Sequence, residues 1–280
     1  MLRKGDLTQG GITGTLLHFT LPMLVGSFLQ QCYNIADTLI VGQCIGAGAL
    51  AAVGSAYTLM VFLISVLLGL AMGSGTVFSL HYGAGNHVAL RRSIFSSFVL
   101  IGIVTLILNV AVFIWIDPIL QLLQVPQDIY GMMRSYLWII FCGIVFTFIY
   151  NFYASLLRAV GDSVTPLWFL AVSVVLNIAL DLFFILQLDW GIQGAAAATV
   201  LAQGVAALGI IIYTYRRRPE LRWHHEDMCF DRTCLKEIAS FSTLTCVQQS
   251  VMNLGILMIQ GLVNSFGTAV MAAFAAGVEG

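Results

Sequence analysis

Charge is what this sequence has least of. Asp, Glu, Lys and Arg together make up 9% of its 280 residues, against about 25% in a typical soluble domain. So few charges cannot cover the surface of a water-soluble fold of that length. The same scarcity excludes a disordered chain, a coiled coil and a nucleic-acid-binding surface. Cysteine is present without forming a framework. Of the six, Cys32, Cys142 and Cys246 fall within apolar runs and Cys44 in a short turn, while Cys229 and Cys234 are read as facing a reducing cytosol. Catalytic signatures are missing too: no Gly-x-Ser-x-Gly, His-Glu-x-x-His or P-loop occurs, so the chain does not read as an enzyme. Without a nucleotide site, a pump built from it would draw on an ion gradient.

Apolar residues fill the space that charge leaves. They make up 59% of the chain, against about 45–50% in soluble domains, and the fold class that remains is an all-α polytopic membrane protein. Crossing a bilayer as a helix takes about 20 apolar residues. Residues 93–116, 135–157 and 190–215 contain no charge, and 163–188 contains only Asp181, so each is predicted to be one span. The first span is predicted over about 7–41, across Asp37, and the second over about 49–80, after glycines 42, 46 and 48. Residues 238–278 are too long for one helix, and Asn264-Ser265-Phe266-Gly267 offers a turn. That gives a seventh span and the opening of an eighth. The runs are continuous, unlike the alternating segments of about ten residues in membrane barrels. The first apolar stretch is too long for a signal peptide.

Arg and Lys set the expected orientation. Arg3 and Lys4, Arg91 and Arg92, Arg158, and then Arg216, Arg217, Arg218, Arg222, Arg232 and Lys236 all fall in alternate connections. The one exception is Arg134. A multi-pass protein of the inner (plasma) membrane with its N-terminus cytoplasmic is expected. His224, His225, Cys229 and Cys234 match no standard zinc spacing, so residues 216–236 are read as a solvated basic linker and no metal is expected. The run Arg216-Arg217-Arg218 reads as a cluster facing lipid headgroups.

The chain also repeats itself weakly. Gln248-Gln249, Asn253 and Gly261 echo Gln30-Gln31, Asn34 and Gly42, and Met271-Ala272-Ala273 echoes Leu50-Ala51-Ala52. Internal repeats are a transporter habit. The expected organisation is a six-helix bundle over 1–215, a linker over 216–236 and the start of a second bundle over 237–280. That second repeat is short, and a truncated or incomplete product is expected from it.

Two acids, Asp37 and Asp181, lie within spans, where each costs about 2.5–3.5 kcal/mol on insertion scales. Asp181 shares a helix face with Asn177, and Asp37 shares one with Tyr33 and Asn34. Thr199 follows the small residues 195–198, which permit close helix approach. These groups could gather carboxylate, amide and hydroxyl oxygens around H⁺ or Na⁺; the plainer reading is that the acids hydrogen-bond neighbouring helices. Pro22 interrupts the first span and reads as a static kink or a hinge.

These residues carry a family resemblance. Thr20-Leu21-Pro22, Tyr33-Asn34-Ile35-Ala36-Asp37-Thr38, Gly48-Ala49-Leu50-Ala51-Ala52-Val53-Gly54, Leu157-Arg158-Ala159-Val160-Gly161-Asp162 and Asn177-Ile178-Ala179-Leu180-Asp181 resemble multidrug and toxic compound extrusion (MATE) transporters, in particular the bacterial branch of DNA-damage-inducible-F-like members. The resemblance implies an inverted-V pair of six-helix bundles that exchanges H⁺ or Na⁺ for organic, often cationic and aromatic compounds. It implies a cation-binding cluster at Asp37, Asn177, Asp181 and Thr199, with Tyr136 nearby, Asn34 supporting it, and Pro22 as a hinge in the first helix. Near Gly255 the second repeat does not repeat the acid of Asp37. Expected partners are a small organic substrate and the lipid bilayer, with self-association if the short chain works alone, and no cofactor beyond the coupling ion. Two rival readings exist. A lipid-linked-precursor flippase would need a cationic cavity, for which only Arg134 and Arg158 are near. A seven-helix receptor or sensor would place its N-terminus outside and leaves the repeat unexplained.

Overall fold

The structure, a computed structural model, describes residues 12–223, 227 and 232–279. Among these, every regular element is helical: α1 (Ile12–Cys44), α2 (Ala47–Gly83), α3 (His87–Leu122), α4 (Gln127–Cys142), α5 (Ile144–Ala159), α6 (Val164–Leu182), α7 (Gly191–Arg217), α8 (Arg232–Asn264) and α9 (Thr268–Glu279). A π turn, Phe183–Gln187, continues α6, and a 3-10 turn, Pro219–Leu221, follows α7. The fold is the expected all-α membrane architecture. Five helices are long and apolar enough to cross a bilayer singly, and the joined pair α4–α5 makes a sixth. The expected seven full spans are reached only with α1. It is long enough at 33 residues but is diluted by Ser27, Gln30, Gln31, Asn34 and Asp37.

Residues 135–157 do not form the single straight span predicted. The chain bends by 50° between α4 and α5, at Gly143. A Cβ there would collide with the side chain of Val200 on α7, so the close approach of α7 requires glycine. Asn109 of α3 donates to the Phe141 carbonyl at 2.9 Å, which satisfies a backbone group beside the break. Helix α4 also begins earlier than expected, which places Arg134 within it. Its guanidinium lies 2.8 Å from Asp117 of α3, and Tyr130 donates to the same carboxylate at 2.9 Å. The one basic residue that departs from the expected alternation thus has a carboxylate partner.

Helix α2 is central. It packs against α3, α4 and α5 on one side and against α8 and α9 on the other. Phe78 and Phe152 are fully buried and meet edge to face at 6.0 Å, with Phe98 5.3 Å from Phe152. Such pairs prefer this geometry because the ring faces are negative and the edges positive. The contact with α8 rests on missing side chains. A Cβ on Gly69 would lie 2.7 Å from the Cys246 Cα, and one on Gly73 would strike the Ser242 backbone. In lipid, where apolar contact alone gives little, such close packing drives helix association. At the other end of this seam Gln260 donates to Ser55 (2.8 Å) and to Asn264 (2.9 Å), and Asn264 donates to the Leu123 carbonyl at 2.8 Å.

The repeat is visible in the backbone. Helices α1 and α8 both have 33 residues. Each is followed by a turn of two or three residues ending in a left-handed glycine, Gly46 (φ 119°) and Gly267 (φ 92°), and then by another helix.

Residues 216–223 and 227 are more packed in part than the expected solvated, headgroup-facing linker, although Arg216, Arg217 and Arg222 are exposed. Arg218 pairs with Asp162 at 3.3 Å, Leu221 is buried, and the Trp223 ring packs 5.6 Å from Phe98. Asp227 is buried and accepts from Arg91 Nε at 2.7 Å. Replacing Arg91 by alanine leaves that carboxylate without its guanidinium, at a cost of about 1–3 kcal/mol. Trypsin cleavage at Arg216, Arg217 and Arg222 is then expected to run roughly tenfold faster, since local opening sets such rates. An unchanged digestion rate would show that the pair does not pin this segment. His224, His225 and Cys229 lie outside the described residues; Cys234 is buried.

Candidate functional site

Four of the residues singled out from the sequence come together. Asp37 (α1), Asn177 and Asp181 (α6) and Thr199 (α7) are all buried. The carboxyl groups of Asp37 and Asp181 lie within hydrogen-bonding reach of each other. Asn177 sits one turn before Asp181 on the same face of α6. In the amide orientation that satisfies both of its ends, Nδ2 donates to Asp181 Oδ2 at 2.9 Å, and the amide oxygen accepts from the Thr199 N–H at 3.2 Å and from its hydroxyl at 3.3 Å. The Thr199 hydroxyl in turn lies 3.4 Å from the Tyr33 hydroxyl. The result is a polar chain across three helices: Tyr33, Thr199, Asn177, Asp181, Asp37.

Small residues make this convergence possible. Ala195, Ala196 and Ala198 are buried on α7, so α6 approaches it closely enough for Asn177 to reach Thr199. Asn34, one turn before Asp37, contacts Gln31 Oε1 at 3.4 Å and donates to the Tyr57 hydroxyl of α2 at 3.2 Å. It thus ties α1 to α2 beside the acid. Tyr136, on α4, is buried in the apolar core and does not line the cavity beside the cluster. Pro22 lies inside α1, which runs unbroken as a helix from Ile12 to Cys44.

A cavity of about 200 Å³ adjoins the cluster on the side of Tyr33, Asn177 and Thr199. Its other polar wall residues, Gln30, Thr147, Asn151, Ser173 and Gln203, escaped the sequence reading. The signal that finds them is a four-residue polar period: Ser173, Asn177 and Asp181 on α6, Thr199 and Gln203 on α7, Thr147 and Asn151 on α5. Thr147 donates to the Gln203 side chain and Asn151 Nδ2 to the Thr147 carbonyl at 2.8 Å. A second cavity of about 510 Å³ begins at Gln30 and Asn151 and reaches Pro22, Arg158 and Ser163.

Chemically, the cluster offers carboxylate, amide and hydroxyl oxygens in a buried setting. Such oxygen-rich sets suit a proton or a hard cation. Among the described residues, no group of three or more His, Cys, Asp or Glu side chains gathers to hold a transition metal.

Comparison with known proteins places the fold. The chain is 32% identical to the probable multidrug resistance protein YpnP of Bacillus subtilis (strain 168), over 98% of this chain and 61% of that protein. It therefore spans about three fifths of the length of the curated relatives it matches. Its fold matches a crystal structure of a MATE protein in the straight conformation with a TM-score of 0.86, at 23% identity, over 100% of this chain and 63% of the other. It matches a Vibrio cholerae MATE transporter, VcmN, in the bent form with a TM-score of 0.80, at 27% identity, over 95% of this chain and 60% of the other. The MatE family profile matches residues 22–183, the stretch that holds Pro22, Asp37, Asn177 and Asp181, and the chain belongs to the MatE (MATE) family.

Proposed function

We propose that this chain forms the first bundle, and the beginning of the second, of a cation-coupled antiporter that exports small organic, cationic or aromatic compounds across the plasma membrane. Residues 1–215, 216–236 and 237–280 serve as first bundle, linker and second-bundle start. The observation that carries the reading is the buried Asp37–Asp181 pair, held by Asn177 and Thr199. Two facing carboxyls in a membrane interior are costly as structure alone. They become useful when a cation, H⁺ or Na⁺, bridges them and stabilises one arrangement of α1, α6 and α7 over another.

Coupling then works by competition. Cation binding favours one conformation of the bundle and substrate binding the other. Each ligand shifts that equilibrium only by its differential affinity for the two states. The relatives named as multidrug resistance proteins support a small organic substrate. The alternate placement of Arg and Lys supports a cytoplasmic N-terminus. Where the short chain acts alone, self-association would supply the second wall of a substrate path.

Ethidium accumulation in efflux-deficient cells tests the reading. Cells expressing the protein are expected to accumulate less ethidium than cells with empty vector, and Asp37→Asn is expected to remove the difference. Export at the wild-type rate by Asp37→Asn, with equal protein in the membrane, would sink the assignment of the carboxyl pair.

A further inference from the structure

The two cavities beside the site share four wall residues, Gln30, Tyr150, Asn151 and Leu170, and so adjoin as one polar-walled region. It starts at Asn177 and Thr199 and ends at Arg158 and Ser163, around the turn between α5 and α6. Its narrower part holds about 200 Å³ and its wider part about 510 Å³, whereas a single water needs only ~10–15 Å³ of such volume. The wall is polar in the manner of a wet surface. Gln30 and Ser173 face the space, and among the described residues neither has a hydrogen-bond partner in the protein, a costly arrangement unless water reaches them.

The carboxyl pair is separated from this space by very little. Neither Asp37 nor Asp181 lines it. Tyr33 and Thr199 stand on its wall beside the carboxyl pair, with their hydroxyl oxygens 3.4 Å apart, and Asn177 links Thr199 to Asp181. Tyr33 faces both carboxyls and Tyr57. Among the described residues of the wall, the only charged side chain is the Arg158 guanidinium at the far end, and none carries a carboxylate. A metal cation would pass a positive charge and then shed water against a neutral wall. A proton carries the same charge past Arg158 but sheds no water, because it moves by exchange along waters and hydroxyls.

We propose that this space is a water-filled proton passage that joins the Asp37–Asp181 pair to the end of the bundle carrying Arg158, with the Tyr33–Thr199 hydroxyl pair as its inner gate. The proposal rests on the reading of that pair as the coupling site and adds the ion and its route. In the release step the O–H bond of a protonated carboxyl breaks, its electron pair stays on the carboxylate, and the proton passes to the hydroxyl gate, which gives up its own proton to a water of the passage.

Thiol accessibility tests the passage without depending on export. With the six native cysteines replaced by alanine, Ser173→Cys places a thiol on the cavity wall. Val175→Cys, two residues away and 69% exposed on the outer face of α6, places one toward lipid. Only a hydrated thiol ionises and reacts with a charged methanethiosulfonate. In inverted membrane vesicles, which present the Arg158 end to the bath, Ser173→Cys is expected to react with the sulfonatoethyl reagent about tenfold faster than Val175→Cys, and Asn151→Cys likewise. In right-side-out vesicles no such excess is expected. Equal rates, or an excess only in right-side-out vesicles, overturn the passage. Marked slowing of Ser173→Cys by Na⁺, but not by an equal concentration of choline, overturns the proton assignment. The ethidium result with Asp37→Asn bears on the coupling site alone, so the two ideas fail separately.

Discussion

Gly69→Val is expected to raise the rate at which Cys246 is alkylated by a maleimide by about tenfold. In the native packing Cys246 is partly buried, its Sγ 3.3 Å from the Val66 carbonyl. A Cβ on Gly69 would lie 2.7 Å from its Cα and 2.8 Å from its backbone nitrogen. Those atoms belong to the main chain of α8, so no rotamer change relieves the clash and the two helices must part. Overpacking of this kind costs typically about 1–3 kcal/mol, and about 1.4 kcal/mol already multiplies the open population tenfold. Gly255→Val is the control. Its Cβ meets nothing within 4 Å, and the Cys246 rate is expected to stay at the wild-type value. If Gly69→Val leaves that rate unchanged, the seam yields elsewhere and the close approach is not what shields the thiol.

Asp181→Asn is expected to act in opposite directions on stability and on coupling. The substitution keeps size and shape and leaves Asn177 with a hydrogen-bonding neighbour. It removes an ionisable group from a fully buried position beside a second carboxyl. Burying a neutral amide costs less than burying a charge, and relief of an under-satisfied buried polar group is worth about 1–3 kcal/mol. For a chain of this size that corresponds to a rise in Tm of about 2–4 °C per kcal/mol. Ethidium export should meanwhile be lost, because no cation can bridge the pair. A protein built for structure alone would show the reverse, with a lowered melting temperature and export intact. Thermal melting in detergent beside the accumulation assay reads both signs. A gain in stability paired with a loss of activity marks a site whose strain belongs to function.

The sequence made the site more legible than the geometry around it. Asp37, Asn177, Asp181 and Thr199 stood out because polar groups are expensive in an apolar run, and the structure brings the four together. Their second partners did not stand out. Gln30, Ser173 and Gln203 are neutral, and a lone amide or hydroxyl in a membrane helix is too common to single out without its i±4 neighbours. The bend at Gly143 was hidden for another reason. Nothing in residues 135–157 breaks a helix by itself; the cause is the Val200 side chain on α7, a contact that only the tertiary fold creates. Two ion pairs near the linker stayed hidden because composition does not show pairing. Arg218 and Arg91 look like solvated charges until Asp162 and Asp227 are placed beside them.

The hydrogen bond from Asn109 to the Phe141 carbonyl bears on how the protein is made. Helix α3 is the most apolar of the candidate spans, and it carries this amide in its interior. During synthesis α3 leaves the ribosome before α4 and α5 exist, so the amide enters lipid with no acceptor from the later helices. The surrounding hydrocarbon side chains outweigh that deficit, and α3 partitions into the bilayer early. When Phe141 follows, its carbonyl beside the bend gives the amide an acceptor at 2.9 Å. Docking of the bent α4–α5 pair onto α3 is thereby rewarded as soon as the pair has inserted. The order of insertion then becomes the order of assembly, and a slow or misplaced bend would leave α3 waiting in the bilayer with an unmet donor.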